Sequence, residues 1–173
     1  LEDLTKALSH FDKAIEITPE YAPAWMGKAW ASYFLGELLY GNIPQDVATA
    51  RARLAIEKAL KLDPLLPESH AIMGLIIGNE AAIPYFQKAI ELNPSYADAY
   101  LWYSNNLGGS PEKRSELLVM AVQLDPMSII INQNYAAHLI HLGRLDEAAK
   151  VAEHMRVINA QSPNVYDTLS TLN

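Results

Sequence analysis

One nine-residue phrase is spelled four times in this chain. Phe11-x-x-Ala14-Ile15-Glu16-Ile17-Thr18-Pro19 is followed by Ile56-x-x-Ala59-Leu60-Lys61-Leu62-Asp63-Pro64, Phe86-x-x-Ala89-Ile90-Glu91-Leu92-Asn93-Pro94 and Leu118-x-x-Ala121-Val122-Gln123-Leu124-Asp125-Pro126. A weaker fifth copy runs Ala152-x-x-Met155-Arg156-Val157-Ile158-Asn159-Ala160. A recurrent helix end closed by proline predicts an array of similar supersecondary units, none of which can bury its apolar face alone. The functional question therefore moves from a catalytic pocket to a binding surface.

Helical periodicity fills the space between these phrases. Leu4, Ala7, Leu8, Phe11, Ala14 and Ile15 make one apolar stripe, and Pro19 ends that helix because the residue before a proline is pushed out of the α region. A second helix is predicted from Pro23 to Leu35, with Gly36 as its C-terminal cap. Further helices are expected at Pro67–Ile77, Glu80–Leu92, Ala97–Leu107, Pro111–Leu124, Ile129–Leu142 and Leu145–Ile158, and another from Pro163. Ser95 with Asp98 reads as a capping box, and Ser110-Pro111 and Ser162-Pro163 as N-caps followed by proline. Pro84 falls in the second turn of its predicted helix, where it costs one early hydrogen bond. Gly41, Asn42 and Pro44 punctuate an insert over Glu37–Val47, whose centre is expected to be loop. No stretch alternates with period two, so no sheet is predicted.

Composition excludes several functions. Thirteen basic residues scattered among twenty acidic ones, with a net charge of −7, do not form the cationic stripe that a phosphate backbone requires. With no cysteine, thiol catalysis, disulfides and cysteine-based zinc sites are impossible. No apolar run reaches the ~18 residues of a membrane span. The chain carries no phosphate-binding loop, nucleophile elbow or zinc-protease motif. His138 and His141 share a helix face but lack a third ligand, so no metal is expected. Paired acids such as Glu112/Glu116 and Asp146/Glu147 read as solvated faces or first-turn charges.

The helix pairs resemble tetratricopeptide repeats, whose period is ~34 residues and whose pattern is W-x₂-L-G-x₂-Y, A-x₃-F, P. Ala7-x₃-Phe11, Ala52-x₃-Ile56, Ala82-x₃-Phe86 and Ala148-x₃-Ala152 carry the second half, and Arg114-x₃-Leu118 departs from it. Trp25…Ala29, His70-x₂-Met73-Gly74-x₂-Ile77, Tyr100-x₂-Tyr103-Ser104-x₂-Leu107 and Asn132-x₂-Tyr135-Ala136-x₂-Leu139 carry the first half more loosely. Pro19, Pro64, Pro94, Pro126 and Pro163 stand 45, 30, 32 and 37 residues apart, so loop lengths vary. The resemblance spans the chain and implies an all-α, right-handed α-α superhelix of helix pairs. Residues 20–64, 65–94, 95–126 and 127–163 would be four repeats. Residues 1–19 would be the second half of an earlier repeat and 164–173 the start of a later one. A start at Leu1 without methionine suggests an excised piece, whose cut ends are expected to favour self-association.

In this family the first helices of the pairs line the concave surface. The resemblance thus points to a peptide-binding groove at Met26, Trp30, Tyr33, Leu75, Leu101, Asn105, Gln133 and His141, with Ala71 and Ala137 at equivalent places. Trp25, Tyr103 and Tyr135 are assigned to the core. Groove positions that are apolar or amide, without Lys or Arg, disfavour the family's carboxylate clamp and suit an apolar stretch of peptide or helix. The expected function is a non-catalytic protein-interaction module binding a protein or peptide, without cofactor, metal, direct nucleic-acid contact or membrane insertion. Tyr21–Ala29 with the insert is also similar to tetratricopeptide regions of bacterial winged-helix transcriptional regulators and cyclase-type signalling proteins. That similarity supplies the alternative, a ligand-sensing or self-association domain in transcription regulation. It implies a cytoplasmic segment, or a periplasmic one if attached to a membrane-anchored regulator.

Overall fold

A computed structural model describes residues 2–36 and 43–172. The described residues form α1 (Glu2–Ile17), α2 (Ala22–Phe34), α3 (Gln45–Leu62), α4 (Pro67–Ile77), α5 (Ile83–Leu92), α6 (Ala97–Asn105), α7 (Pro111–Leu124), α8 (Ile129–His141), α9 (Leu145–Ile158) and α10 (Pro163–Leu172). A 3₁₀ turn, Glu80–Ala82, precedes α5. The fold is all-α, as the periodicity predicts, and among the described residues there is no strand. Two compact units divide the chain between Pro94 and Ser95.

The repeated proline phrase works through backbone geometry. Asp63, Asn93, Asp125 and Asn159 each end a helix in an extended conformation, with φ of −140°, −140°, −135° and −157°. The three that precede proline are driven there by the ring. Asp63 Oδ1 accepts from the Leu65 N–H at 2.9 Å, and Asp125 Oδ1 from those of Met127 and Ser128 at 3.2 and 3.1 Å. Asn159 repeats the contact to Gln161 at 3.1 Å. Asp and Asn are suited to this place because their short side chains can cap the turn beyond the helix.

In the first unit α2 packs on α1 and α3, and α4 on α3 and α5. Gly27 and Gly74 make this possible, since a Cβ at either would meet the ring of Phe11 or Phe86. Phe86, Ile56 and Ile72 fill the core among Ala52, Ala59, Ala82 and Ala89. In the second unit α6 pairs with α7 and α8 with α9, and α10 lies on both α8 and α9. Its core holds Leu118, Ile131, Leu139, Met155 and Val165. The first helices of neighbouring pairs touch, α2 on α4 in one unit and α6 on α8 on α10 in the other.

Three local expectations need correction. Gly36 does not adopt a left-handed cap; α2 ends on Leu35 at φ −66°, and a Cβ on Gly36 would strike Ala48. Pro84 does not interrupt a helix. Gly78 and Asn79 hold positive φ, 68° and 51°, a 3₁₀ turn follows, and Pro84 opens α5 in its first turn. The N-cap of α6 is Tyr96, with no side-chain cap bond, rather than Ser95. Of the 37–47 insert, residues 37–42 lie outside those described; Pro44 is the N-cap of α3.

Candidate functional site

The exposed faces of the first helices differ between the two units. On α2, Trp30 keeps 38% of its surface exposed, and Met26 and Tyr33 are half-buried. Spacing of three and four residues puts these side chains on one helix face. The Trp30 ring stands 4.8 Å from that of Phe34, tilted by 47°, and Tyr33 meets Phe34 edge-on at 5.4 Å. Both arrangements are favoured by ring quadrupoles and hold the indole in place. Leu75 on the adjoining α4 is half-buried, and Ala71 is fully buried.

In the second unit Leu101, Asn105 and Gln133 are engaged within the fold. Leu101 is 2% exposed and belongs to the core. Asn105 is exposed, and its Oδ1 accepts from Arg114 Nη2 at 3.1 Å. Gln133 Oε1 accepts from Asn164 Nδ2 at 2.7 Å, tying α8 to α10. Their amide N–H groups remain the donors these residues can offer a ligand. Ala137 and His141 are exposed. Trp102, absent from the predicted groove, is half-buried and meets Tyr96 edge-on at 6.1 Å.

The residues assigned to the core are partly so. Tyr103 is buried, whereas Trp25 and Tyr135 are half-buried. Trp25 donates its indole N–H to the Pro19 carbonyl at 2.8 Å, with Lys28 Nζ 5.7 Å from its ring centroid. His70 Nε2 reaches the Pro64 carbonyl at 2.8 Å and Asn132 Nδ2 that of Pro126 at 3.0 Å. Each donor stands six residues after its proline. That spacing is the signal by which His70 and Asn132 can be assigned as turn braces.

Cavities open to solvent occur among the described residues, one of them in each unit. One of about 410 Å³ lies in the first unit, over Trp25 and Lys28 and between Leu8 and Leu54. The Lys28–Asp12 ion pair at 2.6 Å satisfies its central charge. The other, about 170 Å³, lies where the α6–α7 turn meets the end of α8, and is lined by Arg114, His138 and His141. Burial, followed by the charge of Arg114, holds the His138 pKa below its ordinary value. Burial and then the nearby Asp125 carboxylate raise that of Asp98. Among the described residues no three His, Asp or Glu side chains gather as metal ligands, and no helix is long and apolar enough to cross a membrane.

A tetratricopeptide repeat family model matches residues 79–96. Among solved structures, TTC0263, a thermophilic tetratricopeptide-repeat protein of Thermus thermophilus, superposes with a TM-score of 0.81. It is 19% identical, with 98% of this chain and 90% of that one covered. YrrB, described as a tetratricopeptide-repeat protein with an unusual peptide-binding site, gives 0.62 at 19% identity over 98% of this chain and 84% of its own. MamA from Desulfovibrio magneticus gives 0.59 at 21% identity, covering 90% and 83%. No curated protein sequence matches the chain. These likenesses establish the fold as that of tetratricopeptide repeats.

Proposed function

We propose that the chain is a non-catalytic interaction module and that the α2–α4 face of its first unit receives an apolar stretch of peptide or helix. The observation that carries this reading is the Trp30–Phe34–Tyr33 cluster, in which a large ring is both exposed and held in place. An aromatic ring already ordered before binding loses little entropy on contact and can dominate the affinity of an interface. Met26 and Leu75 extend the apolar surface beside it, and Met adapts its shape to varied partners. The peptide-binding site described for YrrB, which shares the fold, supports the same class of partner. Within the second unit, Asn105 and Gln133 would offer their amide N–H groups to a peptide backbone, within the limits set by their existing bonds.

The test begins with peptides selected from a random display library against the whole chain. Trp30→Ala and Tyr33→Ala should each weaken the selected peptide by about 1–2 kcal/mol, roughly tenfold, with helical circular dichroism unchanged. Val157→Ala, on an exposed part of α9, should leave affinity as it is. Equal affinity in all three variants removes the assignment of this face.

A further inference from the structure

In the second unit the fold leaves Arg114 electrically unfinished. Its Nη2 donates to a neutral amide, Asn105 Oδ1, and its Nε is buried with no hydrogen-bond partner among the described residues. Arg144 and Arg156, by contrast, each form two bonds to a carboxylate, Glu147 and Glu153. Taking part of a guanidinium out of water without a counter-charge is unfavourable.

The surroundings sharpen this imbalance. Arg114 lines the 170 Å³ cavity together with His138, His141, Leu107, Gly109 and Ser110, and among the described residues no acid is part of its walls. Gly109, at φ +68°, leaves open space where a side chain would stand. His138 is 5% exposed, and its Nε2 lies 2.7 Å from Ser115 Oγ. The same hydroxyl also lies 3.0 Å from the Pro111 carbonyl, so Ser115 ties the imidazole to the start of α7. The ring is thereby fixed as a wall. The named side-chain charges acting on His138 are those of Arg114, His141 and Arg144, all of which lower its pKa. Arg144 is already paired with Glu147, so Arg114 is the charge at this cavity that no carboxylate answers among the described residues.

We propose that this cavity is an oxyanion-binding site in which Arg114 pairs with a single carboxylate or phosphate group and His141 closes over it. The planar fork of arginine matches either group, and the volume suits a small anion rather than a nucleotide. The site depends on nothing assigned to the aromatic face of α2, and its test uses ions alone. The two readings can therefore fail separately.

The probes are sodium phosphate and sodium acetate, titrated separately at constant ionic strength against sodium chloride. The readout is the ring C–H resonances of His138 and His141 by NMR on the whole chain. At least one anion should give saturable shifts at both rings with a Kd of about 1–10 mM, and the one that saturates distinguishes phosphate from carboxylate. Arg114→Gln should weaken it about tenfold or more. Should R114Q lose helicity, Arg114→Lys keeps the charge without the fork and should weaken binding about fivefold. Shifts that stay linear to about 50 mM, or that are unchanged in the folded Arg114 variants, overturn the site.

Discussion

The indole N–H of Trp25 donates to the carbonyl oxygen of Pro19, six residues back, across 2.8 Å. His70 and Pro64 repeat the bond with an imidazole, and Asn132 and Pro126 with an amide. Three unlike side chains thus perform one task, bracing the turn that joins the second helix of one pair to the first helix of the next. A proline carbonyl in a turn has no helical donor waiting for it, so a side-chain donor at this distance completes its pairing.

The Asn132 bond should be the most sensitive of the three. Its side chain is buried, and its Nδ2 bonds both Pro126 O at 3.0 Å and Ser128 O at 2.8 Å. Asn132→Leu removes both bonds and buries an apolar group beside carbonyls that keep His154 Nε2 at 2.9 Å and the residue-132 backbone N–H at 3.1 Å, at a cost of about 1–2 kcal/mol. Trp25→Phe keeps much of the ring packing and should cost about 1 kcal/mol. Urea unfolding monitored by circular dichroism checks the order of the two.

Gly74 within α4 and Gly78 just past its end should fail for different reasons. At Gly74 an added Cβ meets the Phe86 ring, so Gly74→Ala should destabilise by about 1–3 kcal/mol. Phe86→Leu makes room, and the double variant should lose less than the sum of the single losses. Gly78 has nothing within 4 Å of a Cβ but sits at φ 68° and ψ 173°, a region essentially reserved for glycine. Gly78→Ala should also cost about 1–3 kcal/mol, and there Phe86→Leu should bring no relief. A double-mutant cycle by urea unfolding separates the two; coupling at Gly78 would contradict the backbone explanation.

These contrasts show what the sequence could and could not convey. Proline writes its effect on the chain locally, so the starts of α4, α7 and α10 and the end of α7 coincide with those predicted. Pro84 misleads because its effect depends on Gly78 and Asn79, whose positive φ no hydrophobic period reveals. Ser95 matches a capping pattern, yet the helix begins after Tyr96; a cap is a matter of backbone angle as much as residue type. At the site, the family resemblance places Trp30 and Leu101 on equivalent helix faces. Cover by neighbouring helices, which no single helix encodes, leaves one exposed and closes the other. That Arg114 meets an amide rather than a carboxylate among the described residues is similarly hidden, since it depends on tertiary packing.

His138 should make stability depend on pH in one particular direction. Burial first, and then the charge of Arg114, lower its pKa in the fold; a backbone hydrogen bond with Pro111 opposes them, and His141 and Arg144 add lesser lowering effects. The unfolded chain therefore takes up the proton more readily than the folded one. Stability is full above the unfolded value of about 6.5, and declines as pH falls through it towards the lower folded value. His138→Gln can still donate to Ser115 Oγ and does not titrate. Thermal unfolding in a buffer free of oxyanions, between about pH 7.5 and 5.5, should show the wild type losing Tm more steeply than this variant. Asp98, whose raised pKa acts in the opposite sense at lower pH, is common to both proteins and drops out of the difference. Parallel curves would mean that His138 is as easily protonated in the folded chain as in the unfolded one.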